Sequence, residues 1–271
     1  PAEVVLDVTT MNQPCNGDTI GSISASSTGG SGMFTYSFND TLNFTELNNW
    51  MNLEVGDYMV YTQDSEGCSN STLASVTEPD MLTVSLTPTD IACNGETNGE
   101  IEAMGAGGTM DYEYSIDNIT FDNNDSFGDL GVGDYTIYIM DANGCSDSSV
   151  TSIAEPDALT LSIDDIVIDS GAGDGSIDIT IGGGTPEYDI AWTSTTGFSS
   201  FDEDIDGLEA GDYTVCVTDD NGCEICDDAT VTVGINELAN GVNLSVTPNP
   251  NNGQFKIELS GMNNEKVSYT I

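Results

Sequence analysis

The side chains able to do chemistry in this sequence are seven cysteines and a dense set of carboxylates, and their spacing narrows what they can do. Asp202-Glu-Asp204-Ile-Asp206-Gly207 has the Asp-x-Asp-x-Asp-Gly spacing that sets alternate carboxylates around one Ca2+. Position twelve of such a loop is Tyr213 and not Glu, so an EF-hand is disfavoured, and a looser Ca2+ site at Asp202, Asp204 and Asp206 stands against a solvated acidic loop. The corresponding stretches, Asp122-Asn-Asn-Asp125 and the surroundings of Glu46, do not repeat the pattern. Cys223-Glu-Ile-Cys226 has the Cys-x-x-Cys spacing of a zinc site but lacks the second pair or the His that zinc needs.

Catalysis fits poorly. The chain has no His, which removes Ser–His and Cys–His nucleophilic pairs. No Gly-rich loop runs into Lys, so there is no P-loop. Asp169-Ser170-Gly171 spells the aspartic-protease triplet once only, where the surrounding strands call for a turn. Two carboxylates suffice for a glycosidase, but without Arg, and with Trp50 and Trp192 as the only tryptophans, a sugar-cleaving cleft is not expected. The sequence is read as non-enzymatic.

Charge excludes further classes. The formal net charge is -45; of 47 acids only Glu237, Glu258 and Glu265 lie beyond residue 234, so 44 precede it, and both lysines, Lys256 and Lys266, also lie beyond it. Such a surface has nothing to neutralise phosphates and repels nucleic acid and anionic membranes. No run of about 18 apolar residues exists to span a bilayer. Self-repulsion favours a salty or divalent-rich medium. With 38% hydrophobic residues set in alternating stretches, the chain is expected to fold.

The elements that carry these residues recur three times. Leu53-Glu-Val-Gly56-Asp57-Tyr58 runs to Gly67-Cys68, Leu130-Gly-Val-Gly133-Asp134-Tyr135 to Gly144-Cys145, and Leu208-Glu-Ala-Gly211-Asp212-Tyr213 to Gly222-Cys223. In each, a Gly-Asp turn launches an alternating strand that ends in Asp-x-x-Gly, a strand and its hairpin. The spacing predicts repeats of about 77 residues at 1–78, 79–155 and 156–234, with a remnant at 235–271. Pro1 aligns with Pro79 and Pro156, which reads as a fragment of a longer protein. Each repeat offers six or seven short strands, which predicts tandem all-β, immunoglobulin-like β-sandwich repeats followed by a partial β-sandwich. Tyr58, Tyr135 and Tyr213 are either tyrosine corners or plain amphipathic strand residues. The Glu78-Pro79 and Glu155-Pro156 junctions leave almost no linker.

The order Cys-Asn-Gly, Gly-x-Ile, Gly-Gly-Thr/Ser, Tyr, Leu-x-x-Gly-x-Tyr and Asp-x-Asn-Gly-Cys resembles the SprB-type repeats of Bacteroidetes surface adhesins, over residues 1–234. Pro248-Asn249-Pro250, Gly253, Phe255, Ile257 and Leu259 resemble the start of a type A sorting domain of the type IX secretion system, cut short at Ile271. The resemblance implies export by the type IX secretion machinery and a protein attached to the cell surface or released from it.

That secreted setting makes disulfides expected. Cys15 with Cys68, and Cys93 with Cys145, recur at separations of 53 and 52 residues and are read as one staple per repeat. Each closure stabilises by about 4 kcal/mol in the chain-entropy model, enough to decide the folding of so small a domain. Registering Gly175 on Gly99 puts Asp169 where Cys93 stands, so Cys223 loses its partner. A three-residue loop at 220–222 places Cys216 opposite Cys226, predicting that pair with Cys223 free; Cys216 with Cys223 is the rival.

The leading function is a non-catalytic surface adhesin or stalk that binds an unidentified polysaccharide or protein ligand. A spacer and sorting region of a larger secreted hydrolase, or a self-associating filament subunit, are the alternatives. Variation concentrates between Phe38 and Leu53 and in its counterparts, so ligand specificity is expected there.

Overall fold

The structure is a computed structural model that describes residues 2–234 together with strands at 243–247, 256–260 and 268–270. Among these residues the regular elements are strands, and no helix is long and apolar enough to cross a membrane. The first repeat supplies β1 (Ala2–Met11), β2 (Gly21–Gly30), β3 (Thr35–Phe38), β4 (Asn49–Leu53), β5 (Gly56–Gln63) and β6 (Ser69–Val76). The second supplies β7 (Thr83–Thr89), β8 (Gly99–Ala106), β9 (Glu113–Ser115), β10 (Ser126–Leu130), β11 (Gly133–Met140) and β12 (Ser146–Ile153). The third supplies β13 (Thr160–Val167), β14 (Gly175–Gly182), β15 (Tyr188–Ser194), β16 (Ser199–Ser200), β17 (Ile205–Leu208), β18 (Gly211–Asp219) and β19 (Glu224–Val231). Strands β20 (Asn243–Thr247), β21 (Lys256–Ser260) and β22 (Ser268–Thr270) form a separate antiparallel sheet in that order.

Each repeat folds into two antiparallel sheets: β1-β2-β4 and β3-β5-β6, then β7-β8-β10 and β9-β11-β12, then β13-β14-β17 and β16-β15-β18-β19. In immunoglobulin terms these are A-B-E and C-F-G without strand D, with β16 as an added edge strand beside C in the third repeat, so the chain is all-β with tandem immunoglobulin-like sandwiches. It packs as two compact units, Pro1–Asp90 with Thr97–Ala154, and Ile91–Glu96 with Glu155–Ile271. The short loop at 91–96, though it belongs to the second repeat by sequence, therefore counts with the second unit.

The period-two pattern sets the core. On β2, Ile23 and Ala25 are buried while Ser24 and Ser26 face out, and on β14 Ile177 and Ile179 alternate with exposed Asp178 and Thr180. In the first unit Ile23 and Ala25 meet Tyr36, Val60, Ala74 and Val76 from the opposite sheet. In the second unit the isoleucines meet Trp192, Val215, Val217 and Val231. Trp192, on the strand where immunoglobulin domains keep their buried tryptophan, is 1% exposed, and its Nε1 donates to the Asp202 carbonyl at 3.1 Å.

The two readings of the repeated tyrosine are resolved in favour of the corner. The hydroxyls of Tyr58, Tyr135 and Tyr213 donate to the carbonyls of Glu54, Gly131 and Glu209 at 2.9, 3.0 and 2.8 Å, each four residues upstream at the start of the F strand.

The cysteine pairing within repeats is corrected. Cys15 bonds Cys145 and Cys93 bonds Cys223, each across 130 residues, while Cys216 bonds Cys226 across the β18–β19 ladder. Cys68, and not Cys223, is the unpaired thiol, and it is exposed. The reason is strand polarity. The loop that holds Cys15 sits at the foot of β5, where the Gln13 side chain donates to the Leu53 carbonyl at 2.6 Å. Cys68 sits past the top of β5, a strand of eight residues that rises roughly 26 Å. A disulfide spans Cα separations below about 7 Å, so the two ends of one sandwich cannot meet.

The register of Asp169 is corrected as well. Its N–H donates to the Thr232 carbonyl at 3.0 Å as that of Gln13 does to Thr77 at 2.9 Å, so Asp169 stands where Gln13 stands, and the loop that follows is shorter and has no cysteine.

Candidate functional site

Two recurring constructions come together at each of the two long disulfides. The first is the Cys-Asn-Gly triplet, in which each residue has a separate task. In the first unit, Cys15 is the covalent link, Asn16 Nδ2 donates to the Pro79 carbonyl at 3.1 Å, and Gly17 N–H donates to Glu78 Oε2 at 2.6 Å. In the second unit Cys93, Asn94 and Gly95 repeat this, with donors 3.0 Å from the Pro156 carbonyl and 2.8 Å from Glu155 Oε2. Gly17 and Gly95 have φ of 81° and 82°, the left-handed region that disfavours a side chain, so Gly is required there. The Glu-Pro junctions are thus clasped by the triplet that precedes them.

The second construction receives the cysteine. Asp141, 5% exposed, lies under the β11–β12 hairpin; its Oδ1 accepts the N–H groups of Asn143 and Cys145, both at 2.9 Å, and its Oδ2 accepts that of Thr109 at 2.8 Å. Asp219 does the same for Asn221 (3.0 Å), Cys223 (2.8 Å) and Thr185 (2.8 Å). Asn143 Nδ2 then donates to the Pro14 carbonyl at 2.9 Å, and Asn221 Nδ2 to the Ala92 carbonyl at 3.0 Å, each one residue before the arriving cysteine. The Thr185 N–H bond holds the Asp219 carboxyl below its ordinary value against the opposing effect of burial, helped by the N–H groups of Cys223, Asn221 and Gly222.

Where the third repeat lacks the triplet, Asp169 closes the loop on itself. Its Oδ1 accepts the N–H groups of Gly171, Ala172 and Gly173 at 2.8, 3.0 and 2.8 Å. Burial would raise its pKa, yet the bonds from Gly171, Gly173, Asp174 and Ala210 keep it low. Asp169 is a turn cap.

The region between Phe38 and Leu53 presents a different surface. Leu42 is 85% exposed, and its N–H donates at 2.8 Å to Asp40, whose carboxyl also accepts Asn43 Nδ2. At the matching place in the second repeat Ile119 is 83% exposed, and its N–H and that of Thr120 donate to Asp117 at 2.8 Å. In the third repeat Phe201 is 82% exposed beside Asp202, which accepts the Ser200 hydroxyl at 3.0 Å. The Asn43 amide and Leu42 N–H lower the pKa of Asp40, and Thr120, Ile119 and Ser115 that of Asp117. In the first two repeats a pinned aspartate therefore holds an apolar tip out into solvent, and in the third Phe201 is exposed without such a bond to its own N–H.

Asp202, Asp204 and Asp206 border a shallow cleft of about 250 Å3 with Phe198 and Ile205. Asp204 Oδ1 accepts the Ile179 N–H at 3.0 Å, so it and Asp202 are already engaged with the protein. Among the described residues, metal-ligating atoms converge only at Cys216, Glu224 and Cys226, where the two sulfurs are joined as a disulfide. Of the sorting-motif positions, Ile257 and Leu259 lie in β21, while Pro248, Asn249, Pro250, Gly253 and Phe255 lie outside the described residues.

Residues 8–43 and 85–121 match the family model of the SprB repeat. Comparison with curated proteins gives no sequence match. Among solved structures the chain is similar to the N-terminal eight Ig domains of Down Syndrome Cell Adhesion Molecule isoform 1.30.30, at 10% identity and a TM-score of 0.36, over 86% of this chain and 45% of that one. It thus spans less than half the length of that eight-domain fragment. It is also similar to a structure described for host cell surface retention of a 1.5-MDa bacterial ice-binding adhesin, at 16% identity and a TM-score of 0.43, over 87% of this chain and 99% of that one. A tetra-tandem repeat in the extending region of a large adhesion protein is similar at 14% identity and a TM-score of 0.25, over 100% and 98% of the two chains.

Proposed function

We propose that the chain is a non-catalytic segment of a secreted surface adhesin or stalk, in which interlinked sandwiches hold apolar-tipped loops toward a polysaccharide or protein ligand. The observation that carries this reading is the direction of the two long disulfides, each of which runs from a Cys-Asn-Gly loop into the hairpin of the repeat that follows. Such a bond joins neighbours and serves a tether that must resist being pulled apart. Three disulfides in one chain suit an oxidising, extracellular setting. The two SprB-repeat matches support the same reading. In this proposal export is by the type IX secretion machinery, on the strength of the residues around Pro248-Asn249-Pro250. The net charge of -45 makes neutral or cationic polymers the suitable ligands and disfavours anionic ones.

The test combines protease shaving of intact producing cells with a surface-attachment assay, comparing wild type with the triple variant L42S/I119S/F201S. Accessibility on intact cells and loss of attachment in the variant, with its melting temperature unchanged, are expected. Protein protected until lysis, or full attachment by the variant, would overturn the reading.

A further inference from the structure

The hairpin of the first repeat is a third copy of the receiving construction. Asp64, 5% exposed, accepts Glu66 N–H at 3.0 Å and Cys68 N–H at 2.8 Å on Oδ1, and Ser31 N–H at 2.8 Å on Oδ2. The Asp64 N–H donates to the Cys68 carbonyl at 2.9 Å, as those of Asp141 and Asp219 do to Cys145 and Cys223 at 2.9 and 3.0 Å. Ser65 N–H donates to the Ser31 carbonyl at 3.2 Å, matching Ala142 to Thr109 and Asp220 to Thr185, both at 3.1 Å. The backbone socket is thus the same in all three places. In two of them it holds a Cys-Asn-Gly loop by a disulfide, and in the third the cysteine is exposed and unpaired.

We infer that the Asp64–Ser31–Cys68 socket receives the Cys-Asn-Gly loop of a further repeat, carried by the same or another polypeptide, through a disulfide at Cys68. The inference rests on the geometry of the chain's own junctions and does not depend on the adhesin reading. The bond forms by exchange: the Cys68 thiolate attacks the loop sulfur of a mixed disulfide between the incoming cysteine and a small thiol. One S–S bond forms as the other breaks, and the departing small thiol takes the electron pair and a proton. Ser31 stands in place of Thr109 and Thr185, Ser65 in place of Ala142 and Asp220, and one further difference bears on the incoming loop. Glu66 replaces Asn143 and Asn221, so the amide that donates to the carbonyl before the incoming cysteine is missing.

The experiment uses the full chain and a synthetic peptide of residues 10–21, with its cysteine as the thiopyridyl mixed disulfide, against a shuffled peptide of equal composition. After equilibration in a glutathione buffer, intact mass spectrometry reads the fraction of Cys68 that carries each peptide. The ordered peptide is expected to be favoured by about tenfold or more, the worth of one or two hydrogen bonds. E66N, which restores the amide, is expected to widen that preference, and C68S to abolish labelling. Equal occupancy by the two peptides with no gain in E66N, or Cys68–Cys68 dimers outcompeting the ordered peptide, would overturn the proposal.

Discussion

Removing the Cys15–Cys145 bond by C15S/C145S separates the pairing found from a staple within one repeat. Closing a loop of 130 residues removes conformational freedom from the unfolded chain equivalent to about 5 kcal/mol in the chain-entropy model. Substituting both partners adds no free thiol beyond Cys68, and serine keeps the loop nearly isosteric. For a unit of this size about 1 kcal/mol shifts the midpoint by roughly 2–4 °C, so the variant should melt about 10–20 °C lower. Scanning calorimetry under non-reducing conditions is the assay. C93S/C223S serves as the partner experiment and should lower the transition of the second unit. A fall of less than about 3 °C for C15S/C145S would refute the reasoning that converts loop length to stability. Recovery of a Cys15–Cys68 peptide from a non-reduced digest of the wild type would refute the pairing itself.

Three further outcomes are expected. Asp64, Asp169 and Asp219 titrate below their ordinary value when folded, so their contribution is present above about pH 4 and is lost as pH falls through the lowered folded values. Urea midpoints should therefore drop between about pH 4 and pH 2, less steeply in D219N, and parallel acid limbs in the two proteins would count against the caps. Y213F removes the buried hydroxyl bonded to Glu209 at 2.8 Å and should cost about 1–2 kcal/mol by chemical denaturation, with an unchanged midpoint as the adverse result. With Asp202 and Asp204 already engaged, millimolar Ca2+ should raise the melting temperature no more than sodium chloride of equal ionic strength, and a Ca2+-specific rise abolished by D202N would show a site there.

The sandwich was legible because its signals are local. Alternation at Ile23 and Ala25, the Gly-Asp-Tyr start of β5 and the Asp-x-x-Gly hairpins each depend on a few adjacent residues. The pairing of the long disulfides was not, because two nearly equal intervals, 53 and 52 residues, suggest a bond inside each repeat as readily as two equal intervals of 130 suggest one between repeats. The immunoglobulin strand order itself held the answer: it places the A–B loop and the F–G hairpin at opposite ends of one sandwich. The socket aspartates had a visible signature too, since Asp64, Asp141 and Asp219 each stand four residues before a Gly-Cys cysteine. The apolar tips were partly visible, with Asp40-x-Leu42 and Asp117-x-Ile119 offset by 77 residues inside the stretch expected to carry specificity.

The two long bonds interlock, because Cys93 lies inside the span closed by Cys15 and Cys145, and Cys145 inside that closed by Cys93 and Cys223. From Cys15 to Cys223 the bare chain counts 208 residues, which could be drawn out to about 750 Å at about 3.6 Å per residue. The covalent shortcut crosses one sulfur bridge to Cys145, runs back 52 residues to Cys93 and crosses the second. Even with every sandwich unravelled, that route allows only about 190 Å. Under load the region behaves as a strap with a short, fixed stop, and the strain reaches its anchor before most of the unfolded length can be let out.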